Sequence, residues 1–160
     1  MNKFYILGSI AVVLLFVFAV FKPFSSPEES VLADQSQPPI PTQTITTNLP
    51  TGSEKIEVFV FHATQRCISC INIGKYAEAV IKEKFPEELK SGKITFKEVN
   101  IDQPENFNMA KEYGVSGSAL YINAIKDGQD HHEEDVTVWR LVTNEAQFNS
   151  YFEAKLKALL

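Results

Sequence analysis

The chain has 160 residues, 44% of them hydrophobic, with 15 Lys+Arg against 20 Asp+Glu and a formal net charge of −5. That length accommodates one ordinary domain and an appendage. The acidic balance argues against nucleic acid as a partner, because phosphate binding needs clustered positive charge.

The appendage comes first. Lys3 precedes the uncharged run Phe4–Phe21, "FYILGSIAVVLLFVFAVF", and Lys22 ends it. Eighteen helical residues span roughly 27 Å, close to the bilayer's hydrocarbon thickness of about 30 Å. A cleaved signal peptide and a buried core helix are the competing readings. A signal h-region runs about 7 to 15 residues and ends near a small-residue cleavage site, and Val31-Leu32-Ala33 lies well beyond Phe21. A terminal apolar helix followed by a polar tract has little to pack against as a core element. The expectation is an uncleaved transmembrane anchor over residues 1–22. With a short tail before the span and a long polar segment after it, the soluble part is expected on the exported side, periplasmic or extracellular.

Residues 23–54 carry six of the eight prolines together with Ser, Thr and Gln. Such a tract lacks the apolar periodicity of a core and reads as a flexible tether. The remaining residues, 55–160, hold 13 Lys+Arg and 16 Asp+Glu and read as the folded domain.

"KIEVFVFH" is a β-branched and aromatic run typical of a buried strand, and it leads into Arg66-Cys67-Ile68-Ser69-Cys70, the site of the chain's two cysteines. Beyond them Cys70, Ile73, Ala77, Val80 and Ile81 recur at helical spacing, which places the second cysteine on the apolar stripe. Phe85-Pro86 ends or kinks that helix, "SGK" turns the chain, and "ITFKEVNI" reads as a second strand. "DQPENFNMAKEYGV" predicts a short helix with Pro104 in its first turn, Phe107 and Ala110 inward and Gly114 as terminator. A third strand is expected around "SALYINAI", a charged turn at "KDGQDHHEED" and a fourth strand at "VTVWRLV". Asn144, with Gln147 three positions on, caps a last helix whose Phe148, Phe152, Leu156 and Leu159 share one face. The order β-α-β-α-β-β-α predicts an α/β domain with a mixed four-stranded sheet and helices on both faces. Strands separated by helices are expected to be parallel, and the final hairpin antiparallel.

The Cys67/Cys70 spacing admits three readings. A structural zinc site needs four ligands, of which one CxxC supplies two, and the histidines are His62, His131 and His132. A structural disulfide closing so small a ring contributes little, because the loop-closure term grows with the residues enclosed. A redox pair fits the strand-to-helix junction. There Cys67 meets free N–H groups and the positive end of the helix dipole, which favour a thiolate, while Cys70 waits on the buried side to resolve a mixed disulfide. Arg66 adds a cation beside the nucleophile, or is a solvated helix-start residue. His62 is a candidate modulator of Cys67, with an ordinary strand-end histidine as the plain alternative. The run 127–135 reads as a solvated hairpin turn rather than a metal site, and Trp139 and Tyr121 as core residues of strands.

With the CxxC pair, "VNIDQPENFNMAKEYGVSG" and "INAIKDGQ" in this order, residues 55–160 resemble the thioredoxin superfamily. The resemblance implies a thioredoxin-like fold and thiol:disulfide oxidoreductase activity, with Cys67 attacking, Cys70 resolving and no cofactor beyond the redox-active disulfide. The sequence departs from that family at three places. Arg66 stands where thioredoxins have Trp, Phe61 where they bury an Asp for proton transfer, and Ala119 where a cis-proline faces the disulfide. A cis bond before alanine costs about 2.5 to 4 kcal/mol, so a trans bond is expected. Without that proline the site also admits a metal more readily, which keeps a non-enzymatic metal-binding or metal-delivery module as the alternative. More narrowly, "FHATQRCISC", "FPEELKSGKITFKEVNIDQPENFNMAKEYGV" and "VWRLV" resemble the small thioredoxin-like subunit family of nitrophenyl-arsenical reductases. That resemblance implies as partners a membrane thiol-electron transporter and a reductase subunit, with any flavin carried by the partner.

Overall fold

A computed structural model describes residues 47–160. The Phe4–Phe21 run and residues 23–46 of the proline-rich tract lie outside the described residues. Among the described residues no helix is long and apolar enough to cross a membrane.

The elements follow in chain order: β1 (Lys55–His62), α1 (Ile68–Lys84), α2 (Pro86–Ser91), β2 (Ile94–Asn100), a single 3₁₀ turn (Pro104–Asn106), α3 (Phe107–Glu112), β3 (Ala119–Lys126), β4 (Gln129–Glu134), α4 (Val138–Leu141) and α5 (Glu145–Leu159). They form one four-stranded sheet in the order β2-β1-β3-β4. β1 and β2 are parallel, while β3 is antiparallel to both of its neighbours, β1 and β4. This is the expected mixed, thioredoxin-like α/β sheet.

Alternation along the strands divides the core in two. Ile56, Val58 and Val60 of β1, with Ile94, Leu120 and Ile122, pack against Ile73, Ala77, Val80 and Ile81 of α1 and Phe148, Phe152, Leu156 and Leu159 of α5. Phe59 and Phe61 point the other way and join Val99 and Tyr113, with Met109 and Tyr121 packed alongside. Both faces are therefore covered. Phe85 caps α1 because Pro86 disfavours helical backbone at the residue before it, and α2 then starts on that proline. In α5 the Asn144 side chain accepts the Gln147 N–H at 3.1 Å, the cap that the sequence predicts.

Four expectations are corrected. The fourth strand is not "VTVWRLV" but Gln129–Glu134, and the charged turn shrinks to Asp127-Gly128, whose φ values of 53° and 69° suit a two-residue hairpin. β4 is an edge strand and almost wholly exposed, so its alternation carries no apolar signal. Val138 and Leu141, three apart and buried, instead form one helical turn, and Trp139 is a half-buried helical residue. β3 runs antiparallel to β1 although a helix separates it from β2. The six residues of α3 reach about 9 Å, too short to carry the chain back along a strand. Phe107 is 54% exposed rather than inward; Ala110 and Tyr113 provide the buried contacts of that segment.

Packing also begins earlier than Lys55. Leu49 is buried in the larger core, the Ser53 N–H donates to the Leu159 carbonyl at 2.8 Å, and Lys126 Nζ donates to the Thr51 carbonyl at 2.8 Å.

Candidate active site at the CxxC pair

β1 delivers the chain to its C-terminal end at His62, and residues 63–66 carry it to the start of α1. Cys67 is the N-cap: its backbone is extended (φ −75°, ψ 161°) and its Sγ accepts the Cys70 N–H at 3.1 Å. Sulfur thus takes the place that a Ser or Asp oxygen fills at most helix starts, on an N–H with no partner within the helix. Cys67 and Cys70 form a disulfide with their Cα atoms 5.1 Å apart. Cys67 is exposed and Cys70 half-buried, so the second sulfur is less enclosed than the apolar stripe predicts.

The loop before Cys67 is fastened to one face of β2. Ile94 and Phe96 point toward the larger core; the same alternation then turns polar at Glu98 and Asn100 and continues to Asp102. Arg66 donates to both Glu98 oxygens, Nη2 to Oε1 at 3.0 Å and Nη1 to Oε2 at 3.2 Å. Arg66 Nη2 also donates to the Cys70 carbonyl at 3.1 Å. Asn100 Nδ2 donates to Thr64 Oγ1 at 3.1 Å, and the Thr64 N–H donates to Asp102 Oδ2 at 2.7 Å. That backbone hydrogen bond, helped by the Thr64 hydroxyl and by His62, holds the Asp102 carboxyl below its ordinary value of 3.8. The Arg66–Glu98 pair lines an open groove of about 560 Å³ between α1 and β2, with Phe96 and Ile71 beside it.

The remaining sequence candidates lie at the same end of the sheet. His62 closes β1, and its Nδ1 donates to the Ala63 carbonyl at 2.9 Å, since a carbonyl only accepts. Ala119 opens β3, buried and paired with Phe61, and the Ser118–Ala119 bond is trans. Phe61 itself is fully buried, its ring 5.3 Å from that of Tyr113 and 5.7 Å from that of Tyr121. The position aligned with a proton-transfer acid is an aromatic core residue. Burial, with Glu57 nearby, pushes the Tyr113 hydroxyl up to about 12, so it is neutral at physiological pH.

Two features of the site were missed from sequence: Glu98 as partner of Arg66, and the Thr64–Asn100–Asp102 tie. The available signal was the switch of one β2 face from apolar to polar as the strand nears the cysteines. Among the described residues, no three His, Cys, Asp or Glu side chains are grouped to hold a metal ion.

Fold and site together define a class: a thioredoxin-like α/β domain with a CxxC disulfide at the start of its first helix. No family model and no curated protein matches the chain. Among solved structures it is similar to the thioredoxin of Fasciola hepatica, at 26% identity over 60% of this chain and 83% of that one, with a TM-score of 0.38. It is also similar to thioredoxin O2 of Arabidopsis thaliana in the oxidized state, at 24% identity over 59% and 75% of the two chains, with a TM-score of 0.39. The zinc-bound form of human ERp44 matches at 25% identity over 59% of this chain and 27% of that one, with a TM-score of 0.40. The class rests on the strand order, the mixed pairing and the position of the cysteines.

Proposed function

We propose that the protein is a membrane-tethered thiol:disulfide oxidoreductase that passes electrons between dedicated protein partners. The observation that carries the reading is Cys67 Sγ at the N-cap, accepting the Cys70 N–H. In the reduced protein the same N–H and the helix dipole favour a thiolate at Cys67 over a thiol. That thiolate attacks a substrate disulfide, forming a Cys67–substrate bond and releasing one substrate thiolate. Cys70 then loses its proton to solvent and attacks Cys67 Sγ, which releases the second substrate thiolate and restores the Cys67–Cys70 disulfide. Two electrons leave the protein and none are stored elsewhere.

Protein partners fit the surroundings. Ile68, between the cysteines, is 75% exposed, and Ile71, Phe107 and Val136 are the other exposed large hydrophobics among the described residues. All four lie in segments that leave the sheet at the CxxC end. The finer reading adds the Phe4–Phe21 anchor, a domain on the exported side, a membrane thiol-electron transporter as donor and a nitroaromatic (nitrophenyl-arsenical) reductase subunit as acceptor. It draws on the narrower sequence resemblance, and any flavin belongs to the partner.

The test is a trap. Full-length Cys70→Ser, expressed in its native membrane, is expected to accumulate a mixed disulfide through Cys67 to a membrane transporter or a reductase subunit. An assortment of secreted proteins would replace the dedicated partners with general disulfide chemistry. Absence of any adduct that Cys67→Ser abolishes would remove the oxidoreductase reading itself.

A further inference from the structure

We propose that Glu98 and Gly74 are positioning residues which, acting through Arg66, set the reduction potential of the Cys67–Cys70 pair. The proposal rests on thiol exchange at that pair. Arg66 immediately precedes Cys67, so an unopposed guanidinium there would add its charge to the positive end of α1. It is not unopposed. Both of its terminal nitrogens are held by Glu98 in a two-pronged ion pair, and one of them also grips the Cys70 carbonyl. The Arg66 side chain is only 18% exposed, against 40% for Glu98.

Gly74 makes the arrangement fit. A Cβ at that position would collide with the Glu98 carboxylate and come within 3.1 Å of Arg66 Nη2. Glycine is less favourable than alanine in a helix interior, and here its missing side chain lets a carboxylate lie against α1 one turn after Cys70. The cation and the anion therefore reach the helix start as a neutral unit.

The consequence follows from the charge of the reduced state. When glutathione reduces the disulfide, two glutathione thiols give up two electrons and two protons and join as glutathione disulfide. The S–S bond of the protein becomes two sulfhydryls, and Cys67 releases its proton to solvent. Negative charge thus appears at Cys67 only on the reduced side. Arg66 favours that side and Glu98 opposes it, across a partly exposed region where the effect falls with salt.

The experiment measures the redox equilibrium of the full-length protein, purified in detergent, with glutathione at low ionic strength. Glu98→Gln is expected to shift it about threefold to tenfold toward the dithiol, where tenfold corresponds to about 30 mV. Arg66→Gln shifts it by a similar factor toward the disulfide, and Arg66→Gln/Glu98→Gln returns within about twofold of wild type. Gly74→Ala, which pushes the carboxylate off the helix, moves in the direction of Glu98→Gln. The pH profile of Cys67 alkylation follows the same order, and high salt shrinks the single-variant shifts. A loosened loop would move both single variants the same way. Shifts of one sign, or none beyond twofold, overturn the proposal. A wild-type protein that never equilibrates with glutathione overturns the oxidoreductase reading beneath it.

Discussion

Phe61 shows how one residue changes the chemistry available to the site. Its ring lies within about 6 Å of those of Phe59, Tyr113 and Tyr121, so the position is filled by aromatic contacts on the sheet face opposite α1. Phe61→Ala is expected to cost about 3 to 5 kcal/mol in urea unfolding, because it removes a fully buried ring and leaves a cavity; a cost under about 1 kcal/mol would show that the cluster collapses around the gap. The two cysteines and Arg66 were legible in the sequence, since a CxxC after a buried-strand pattern constrains its own neighbourhood. Glu98 was not. It lies 32 positions from Arg66, and spacing along a chain does not report a contact between a loop and a strand. Phe107 misled for a related reason: its position in a short helix predicts an inward face, but the six-residue α3 buries only Ala110.

At the scale of elements, legibility tracked burial. β1, β2 and β3 announce themselves through β-branched and aromatic runs because at least one face of each is covered. β4 is polar along its length and does not, although Asp127-Gly128 between two extended segments is itself a hairpin signal that relocates the strand. Helix α5 was readable in full, since its cap and its apolar stripe agree. Asn144→Ala removes the acceptor for the Gln147 N–H and is expected to cost about 1 kcal/mol in chemical denaturation. No change in the unfolding midpoint would assign that N–H to water.

The whole domain is tied together by a polar cluster that no local pattern predicted. Lys155 is 3% exposed, with Nζ 2.7 Å from Glu133 Oε1 and 3.4 Å from Asp135 Oδ2. Tyr151 donates to Asp135, while Thr47 Oγ1 and the Asn48 N–H donate to Glu133. The end of β4, α5 and residues 47–48 therefore meet at one buried cation. Burial pushes the Glu133 carboxyl up, but Lys155, Asn48 and Thr47 outweigh it and leave it below its ordinary 4.5. Burial likewise pulls Lys155 down, and Asp135 and Glu133 outweigh it and leave it above 10.5. The Glu133 contribution is present above 4.5 and lost as pH falls through the lowered folded value. That of Lys155 is present below 10.5 and lost as pH rises through the raised one. Lys155→Met strands two acids without their cation, for an expected loss of about 3 to 5 kcal/mol at pH 7 that narrows in acid as Glu133 protonates. Urea unfolding at pH 7 and pH 4 measures both, and an equal loss at the two values would contradict the charge account.

The central claim is that Cys67 is the attacking sulfur of an exchanging pair. Turnover of a peptide disulfide by the full-length protein, supplied with a dithiol reductant, tests it most directly. The account predicts that Cys67→Ser falls to the uncatalysed background, while pre-reduced Cys70→Ser, freed of reductant and mixed with the peptide disulfide, reacts once and stops as a mixed disulfide through Cys67. Wild-type turnover in Cys67→Ser would contradict it.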